Sequence, residues 1–259
     1  MQIKDKTILI TGGASGIGLE SAKQFLAEGA SVIITGRNEA KLEAAKKMFP
    51  SLTIIKSDVE NQDDAVALFD KVVALGGIDI LYNNAGVGSS AFNMGIANDQ
   101  ILKNAIYEMN INYFGVIRLN NLFINMLKSR NEAAIINTTS ILSMVPALEE
   151  PTYSASKTAL SFYTRILRKN LEIVNSNVKV FELLPPLVAT EMTAQRNDKK
   201  MTPEQLVKTL ISGIKKDQFT IRVGDSKLLY FVNRFFPQLA FNLVNPKKIY
   251  VGLKSSLKP

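Results

Sequence analysis

Short apolar runs alternate along this chain with longer segments in which apolar residues recur at helical spacing. The runs are rich in β-branched residues and predict strands at residues 7–11, 31–35, 52–59, 78–86, 133–140 and 178–186. The periodic segments predict helices at 16–30, 38–49, 62–77, 99–129 and 151–175, with another after Pro203. This alternation predicts an α/β fold with a parallel sheet covered by helices on both faces.

The alternation stops near residue 220, and the remaining tail is rich in aromatic residues and proline. Neither a linker, a repeat nor a low-complexity tract divides the chain. A length of 259 residues with 46% hydrophobic side chains suits one sizeable core. We therefore expect a single domain over residues 1–259, in which about 190–259 form a substrate lid and C-terminal extension.

Cysteine and histidine are both absent. Their absence excludes disulfides, thiolate nucleophiles, Ser-His-Asp triads and nearly all zinc chemistry, so no metal site is expected. If this protein moves protons near neutral pH, it must use Tyr, Lys, Asp or Glu.

The formal net charge is +8, but the lysines form no basic run of five or more. We interpret the charge as a basic surface that favours an anionic cofactor and expect no nucleic-acid partner; the alternative is a protein that binds nucleic acid or a membrane surface. The sequence has no stretch of 18 apolar residues and no signal-peptide pattern at its start, which predicts a cytoplasmic protein.

A glycine-rich turn, TGGASGIG, joins the first predicted strand to the first helix. Glycines let the backbone approach a phosphate closely, and a helix start offers free N–H groups to the anion. The spacing differs from G-x-G-x-x-G, so the location of the turn carries the prediction. The residues expected to bind a dinucleotide here are Gly12, Ser15, Gly16, Ile17 and Gly18.

Arg37 follows the end of the second predicted strand, where an NAD-binding fold usually has a carboxylate for the ribose hydroxyls. A guanidinium suits a ribose 2′-phosphate instead. We therefore expect NADP(H) as cofactor, with NAD(H) also possible; the alternative is a solvated surface arginine.

Tyr153 and Lys157 are four residues apart and share one face of a predicted helix. A nearby ammonium group favours a phenolate, so we expect Lys157 to lower the pKa of Tyr153 toward neutrality and make it an acid/base. Without other motifs, an ordinary exposed pair is the simpler interpretation.

Five motifs in order resemble the short-chain dehydrogenase/reductase family over about residues 5–195. They are TGGASGIG, NNAG at 83–86, Asn112 in NINYFG, Ser140 in NTTS and YSASK at 153–157. The resemblance implies a single-domain Rossmann-like doubly wound sheet of about seven strands, an NAD(P) cofactor, and an oxidoreductase that interconverts carbonyls and secondary alcohols. LLPPLVATEM and IRVGDSKL also resemble a bacterial subgroup labelled DltE-like.

The resemblance also implies a role for each matching residue. Tyr153 is the acid/base, Lys157 its partner, Ser140 orients the substrate, and Asn112 holds a proton-relay water. Thr138, Thr139 and Ser143 are neighbouring hydroxyls without such a role. Cofactor contacts are implied for Asp58 and Val59 at the adenine, for Asn84, Ala85 and Gly86 in a motif that equally supports the sheet, for Tyr153 and Lys157, and for Pro185, Val188 and Thr190 at the nicotinamide.

One position departs from the family pattern, because Pro186 stands where the family usually has glycine. A second proline in succession stiffens this loop.

The loops after the fourth, fifth and sixth strands are expected to form the substrate pocket. Their side chains are mostly apolar, which favours a carbonyl or alcohol with hydrophobic bulk, and residues 190–203 are a candidate mobile lid. Glu149 and Glu150 are interpreted as a solvated loop; the alternative is that they face a cationic group. The candidate wall residues are Val87, Ile141, Leu142, Met144, Leu148, Leu187 and Met192.

The aromatic segment at residues 227–248 is expected to cap the pocket or pack in a subunit contact rather than lie on a membrane. A homodimer or homotetramer is expected by analogy with the family. The alternative function is an NADP(H)-binding sensor or scaffold without redox turnover.

Overall fold

The computed structural model describes residues 1–89, 94–247 and 249–250, and a seven-stranded parallel sheet forms its centre. The strand order is β3-β2-β1-β4-β5-β6-β7, with a crossover between the two halves at β1 and β4. The expected doubly wound sheet is thereby confirmed. The strands are β1 (Thr7–Thr11), β2 (Ser31–Gly36), β3 (Thr53–Lys56), β4 (Ile80–Asn83), β5 (Ala133–Thr138), β6 (Val178–Leu184) and β7 (Thr220–Arg222).

Helices connect these strands, and side-chain caps fix several of their starts. Asn38, Asn61, Asn98 and Thr202 each accept a backbone N–H bond in the first turn of the following helix, which satisfies a group that lacks a partner within the helix. The helices are α1 (Gly16–Ala27), α2 (Glu39–Met48), α3 (Gln62–Ala74), α4 (Asp99–Met109), α5 (Gly115–Lys128), α6 (Pro151–Ile173), α7 (Pro203–Lys215), α8 (Asp225–Phe235) and α9 (Pro237–Val244).

Successive strand residues point to opposite faces of the sheet and enter two separate cores. Ile8 and Ile10 pack with α1, α2 and α7, whereas Leu9 packs with α3, α5 and α6. Both faces are therefore apolar, which explains why the strands are continuous apolar runs instead of alternating ones.

The observed strands end earlier than the apolar runs predicted. β4 stops at Asn83 and β5 at Thr138, so NNAG continues into a loop and Ser140 follows its strand by two residues. The seventh strand, Thr220–Arg222, has only three residues, too few for a periodic pattern. The predicted long helix over 99–129 is interrupted by a π-helical turn at Asn110–Phe114, where the Gly115 N–H bonds to the Asn110 carbonyl. Such turns are frequent at functional sites.

The tail folds into the helical pair α8 and α9, which packs against the loop that follows β5. Leu229 and Ala240 form a small apolar cluster with Val145 of that loop. Of the predicted C-terminal extension, Lys248 and residues 251–259 lie outside the described residues. No helix in the described part of the chain is both long and apolar enough to span a bilayer.

Candidate active site

A cleft of about 440 Å³ opens at the carboxyl ends of the central strands. Ligands bind at this edge in doubly wound sheets, where the strand order reverses. The glycine turn and the Tyr-Lys pair, which are far apart in sequence, line the same cleft. The predicted site residues along it are Gly12, Ser15, Gly16, Ile17, Asn84, Ala85, Gly86, Ser140, Tyr153, Lys157, Pro185, Val188 and Thr190.

The glycine turn has the geometry of a phosphate cradle. Gly12 and Gly16 have φ angles of +63° and +52°, a region that favours glycine. A Cβ on Gly12 would lie 3.0 Å from the Ala85 Cα, so glycine also permits this close approach of two backbones. Ser15 precedes α1 without making a side-chain cap, so the backbone N–H groups of the first turn lack a side-chain acceptor, and Gly16 and Ile17 of this turn line the cleft.

A smaller cavity of about 140 Å³ adjoins the cleft and is lined by Arg37, Asp58 and Val59. Arg37 is half-exposed, with its Nη1 3.8 Å from Asp58 Oδ2 and its Nη2 donating to the Tyr107 hydroxyl at 3.1 Å. The bond to Tyr107, 70 residues away in sequence, raises the pKa of Arg37. The guanidinium is therefore held at the cavity rim by two side chains.

Two of the predicted cofactor residues, Asn84 and Gly18, fix the backbone of the glycine turn. The Asn84 side chain donates to the carbonyls of Thr11 and Gly12, at 3.0 and 3.2 Å, and so ties β4 to the glycine turn. A Cβ on Gly18 would lie 2.2 Å from the Gly12 carbonyl oxygen, and Gly18 lines neither cavity. Gly18 thus allows α1 to approach the turn.

Lys157 is buried on α6 behind Tyr153. Its Nζ donates to the Thr138 carbonyl at 3.0 Å and lies 5.8 Å from the centre of the Tyr153 ring. Burial lowers the pKa of Lys157 to about 8. The ammonium group is therefore largely charged at neutral pH and is held by the end of β5.

The pKa of Tyr153 is raised, not lowered as expected from its lysine neighbour. Burial is the main cause, and the nearby Glu150 carboxylate adds to it, while a hydrogen bond from the Ser140 side chain acts in the opposite direction. The expected lowering is therefore wrong for the protein alone, because desolvation exceeds the effect of a cation nearly 6 Å from the ring. Tyr153 is a protonated phenol at neutral pH.

Ser140 faces the cleft and also starts a short 3-10 turn at Ile141–Ser143, where its Oγ accepts the Leu142 N–H at 3.1 Å. The neighbouring hydroxyls make hydrogen bonds to other groups, although Thr138 and Thr139 also line the cleft. Thr139 donates to Glu182 and to the Leu183 carbonyl, and Ser143 to the Ser140 carbonyl.

Asn112 is fully buried in the π-helical turn and lines neither cavity. Its amide nitrogen donates to the Val87 carbonyl and to Ser156 Oγ, and its oxygen accepts the Val87 N–H. An ideal Cβ on Gly86 would lie 3.2 Å from Asn112 Oδ1 and 3.1 Å from Lys157 Nζ. The two polar atoms therefore converge on a space that glycine leaves open.

Three charged residues in or beside the cleft were not assigned to the predicted site. Glu150 and Arg196 line it and form an ion pair at 2.6 Å, so the interpretation of Glu150 as a solvated loop residue is wrong. Burial raises the pKa of Glu150. Glu108 is buried nearby and accepts bonds from the Ser89 N–H and hydroxyl. These contacts join distant segments, and no local pattern reveals them.

Four of the predicted wall residues line the cleft, namely Ile141, Leu142, Leu187 and Met192. Val87 lines the smaller cavity instead. Met144 packs toward α8 and α9, and the backbone N–H of Leu148 bonds to Asn245.

The loop that contains Pro186 is tied to its neighbours by backbone hydrogen bonds. The Pro185 carbonyl accepts from Ile141, Met201 donates to Leu187, and Ala189 donates to Met201. These bonds tie the loop to the segments at Ile141 and Met201, and its stiffness stays a prediction. Within residues 1–89, 94–247 and 249–250, no cluster of acidic residues could hold a metal ion.

The sequence matches the family model described as short chain dehydrogenase over residues 6–201. A relative named "Uncharacterized oxidoreductase DltE" from Bacillus subtilis is 33% identical over 224 residues, covering 83% of this chain and 87% of that protein. A relative named fatty acyl-CoA reductase from Acinetobacter baylyi is 28% identical, over 98% of this chain and 90% of that one.

The fold also matches solved structures. A short chain dehydrogenase from Burkholderia cenocepacia, crystallised in complex with NADP, superposes with a TM-score of 0.84 at 25% identity. The match covers 94% of this chain and 99% of that chain.

Proposed function

The chain belongs to the short-chain dehydrogenase family, DltE-like subgroup, and from that premise we propose that it interconverts a carbonyl and a secondary alcohol, using NADP(H) and Tyr153 as acid/base. Family membership makes it an NAD(P)-dependent oxidoreductase. One observation carries the finer proposal: the phosphate cradle and the Tyr153 phenol line one continuous cleft. A dinucleotide held by the first would bring its nicotinamide end toward the second.

The residues of the two cavities fit NADP(H). The first turn of α1 and the glycine turn would hold the pyrophosphate, and Asp58 and Val59 would border the adenine. Arg37 would pair with a ribose 2′-phosphate through charge-assisted hydrogen bonds, which supports NADP(H) over NAD(H). The NADP bound to the Burkholderia relative supports the same choice.

When bound, the cofactor supplies or accepts a hydride; the protein supplies orientation and moves the proton. We assign proton donation to the Tyr153 hydroxyl, because its raised pKa keeps it protonated at neutral pH. The Ser140 hydroxyl would donate to the same carbonyl oxygen and so orient it. In the reverse direction Tyr153 would accept the alcohol proton.

Lys157 and Asn112 would hold the water that returns a proton to Tyr153 after each turnover. Both converge on the space beside Gly86, and a water there could accept from Lys157 Nζ and donate to Asn112 Oδ1. The positive charge of Lys157 also favours the phenolate that forms during turnover.

The substrate class follows from the wall of the cleft. Ile141, Leu142, Leu187 and Met192 offer apolar surface, which supports a ketone, aldehyde or alcohol with hydrophobic bulk. The relative named fatty acyl-CoA reductase is consistent with an acyl-like substrate. The polar segment at 190–203 would act as a lid, linked to α6 by the Arg196–Glu150 pair.

Self-association into a dimer or tetramer is part of the same proposal. It is supported by large apolar side chains exposed on α4 and α6, namely Leu102, Ile106, Phe162 and Ile166. Light scattering on the purified chain tests it.

A spectrophotometric panel tests the function by following NADPH consumption with apolar ketones, aldehydes and quinones, and NADP⁺ reduction with the matching alcohols. Turnover of at least one pair supports an oxidoreductase of this class. Tight NADPH binding without turnover of any pair would favour a cofactor-binding sensor instead.

A further inference from the structure

Two stripes, one on α8 and one along α9, hold six large exposed apolar side chains. In each stripe the residues are spaced i, i+3 and i+7, which places them on one side of their helix. Each of the six is between 52% and 70% exposed. We call this surface the hairpin face; it consists of Leu228, Phe231 and Phe235 on α8, and Phe236, Leu239 and Leu243 along α9.

The inner side of the same helical pair is bonded to the loop that follows β5. Asn233 donates to the Met144 carbonyl at 3.2 Å, and Asn245 donates to the Pro146 carbonyl at 3.0 Å. Leu229 and Ala240 are buried against Val145. The expected cap over the pocket or subunit contact stays a prediction. Within the described residues, this packing leaves the hairpin face uncovered.

The positive charge of the chain is concentrated in this tail. Residues 226–259 contain six Lys and Arg and no Asp or Glu, so the first 225 residues have 25 basic against 23 acidic residues. The tail thus accounts for six of the eight net positive charges, although its lysines and arginine form no continuous basic run. Lys227, Arg234 and Lys247 are exposed and form no ion pair within residues 1–89, 94–247 and 249–250.

We propose that the hairpin face docks on the surface of a bilayer that contains anionic lipids. Exposed aromatic and leucine side chains enter the boundary between headgroups and acyl chains, while lysine and arginine pair with lipid phosphates. A second copy of this chain is a poorer partner, because a symmetric contact would bring the two cationic tails together. The inner side of the helical pair packs against Ile141, which lines the cleft, so docking places this wall of the cleft one helical layer from the bilayer.

Sedimentation of the full chain with lipid vesicles tests this proposal. We expect binding to vesicles of equal phosphatidylglycerol and phosphatidylcholine, and much weaker binding to phosphatidylcholine alone or at high salt. Absence of binding to the anionic vesicles would overturn the proposal. Vesicle binding is measured without substrate. It can therefore fail while the oxidoreductase function is retained, and it can succeed where no oxidoreductase activity is found.

Matched variants locate the contact. Leu228→Ser combined with Leu239→Ser removes one leucine from each helix of the hairpin face and should lower the vesicle partition coefficient by about tenfold or more. Met48→Ser combined with Leu75→Ser alters two similarly exposed side chains elsewhere and should leave partitioning unchanged. An equal loss of vesicle binding in the two double variants would contradict the proposal.

A charge series separates location from net charge. Lys227→Gln, Arg234→Gln and Lys247→Gln together should weaken binding to anionic vesicles, whereas Lys103→Gln, Lys128→Gln and Lys216→Gln remove the same charge elsewhere and should have little effect. Light scattering without vesicles gives the oligomeric mass of the Leu228→Ser, Leu239→Ser double variant. If this mass differs from that of the parent, the hairpin face is a subunit contact and the proposal is wrong.

Discussion

The side-chain amide of Asn112 binds both polar groups of the Val87 backbone. Its nitrogen donates to the Val87 carbonyl at 2.8 Å, and its oxygen accepts the Val87 N–H at 2.9 Å. The π-helical turn places Asn112 at this point, where it fixes the loop that follows NNAG. Its oxygen accepts only one of the two hydrogen bonds available to it within the described residues. The second position faces the space beside Gly86.

That space can be filled without straining the backbone. Gly86→Ala would place a Cβ 3.1 Å from Lys157 Nζ and 3.2 Å from Asn112 Oδ1, which excludes a bridging water. We expect kcat for carbonyl reduction to fall by about tenfold or more. Gly88→Ala is the control, because its Cβ would meet the Tyr153 ring at an ordinary 3.6 Å. Unchanged kcat in Gly86→Ala, measured at saturating NADPH, would remove the water from the mechanism.

Tyr153→Phe removes the proposed proton donor and leaves the ring in place. We expect kcat/KM for carbonyl reduction to fall by roughly 10²–10⁴-fold, since general acid catalysis contributes that much. NADPH binding, followed by fluorescence titration, should be retained. Tyr163→Phe, on the same helix and with its hydroxyl bonded to Asn120, should keep its activity. Full turnover by Tyr153→Phe would exclude the phenol as the acid.

Arg37→Gln tests the choice between the two cofactors. Loss of a charge-assisted bond to a 2′-phosphate is worth about 1.5–3 kcal/mol, so the Kd for NADPH should rise roughly 10- to 100-fold. The Kd for NADH should change little. Lys56→Gln removes an exposed charge nearby, one that pairs with Glu39, and serves as the control. Equal weakening of NADH and NADPH would refute the assignment.

Glu150 and Arg196 should shift the pKa of Tyr153 in opposite directions. The Glu150 carboxylate raises that pKa and the Arg196 guanidinium lowers it. Alcohol oxidation requires the deprotonated phenol, so Glu150→Gln should move the rise of kcat/KM to lower pH, and Arg196→Gln to higher pH. A pH profile of NADP⁺ reduction measures both shifts. Shifts of the same sign would mean that the pair acts through loop structure and not through charge.

Lys157 makes the stability of the fold depend on pH. Its pKa is about 8 in the folded protein and about 10.4 in an unfolded chain. Between these values the unfolded chain binds more protons, so the parent gains stability as pH rises, and Lys157→Met does not. From about pH 7.5 to 9.5 the free energy of unfolding of the variant should fall by about 2 kcal/mol relative to the parent.

Urea titrations at several pH values measure this difference, and Lys128→Met, which alters an exposed lysine, should track the parent. A constant difference between Lys157→Met and the parent would mean that the lysine is not desolvated.

The site features carried by local spacing were predictable from the sequence. The glycine turn between β1 and α1, and Tyr153 one helical turn before Lys157, depend on neighbours within a few residues, and the structure brings both to one cleft. The pKa of Tyr153 was not predictable, because its burial is set by the surrounding loops. Arg196 meets Glu150 across 46 residues, and Tyr107 meets Arg37 across 70.

The fold shows the same division. Apolar runs predicted the central strands, whose side chains are buried on both faces. The π-helical turn at Asn110–Phe114 was hidden, because its hydrogen bonds differ from those of an α-helix while the apolar spacing continues. The exposure of the apolar stripes on α8 and α9 was not predictable from the sequence either, because a buried helix face and an exposed one have the same apolar periodicity.

Among the described residues, Gly12, Ala85 and Gly86 line both the large cleft and the small cavity. These residues join the two compartments of the site, the cleft around Tyr153 and the cavity beside Arg37. An adenosine 2′,5′-bisphosphate would reach from the cavity beside Arg37 to the glycine turn, so it should be a competitive inhibitor against NADPH while leaving the wall around Tyr153 uncovered. Fragment-based inhibitor design against this protein can therefore begin from either compartment and join the two fragments across the glycines.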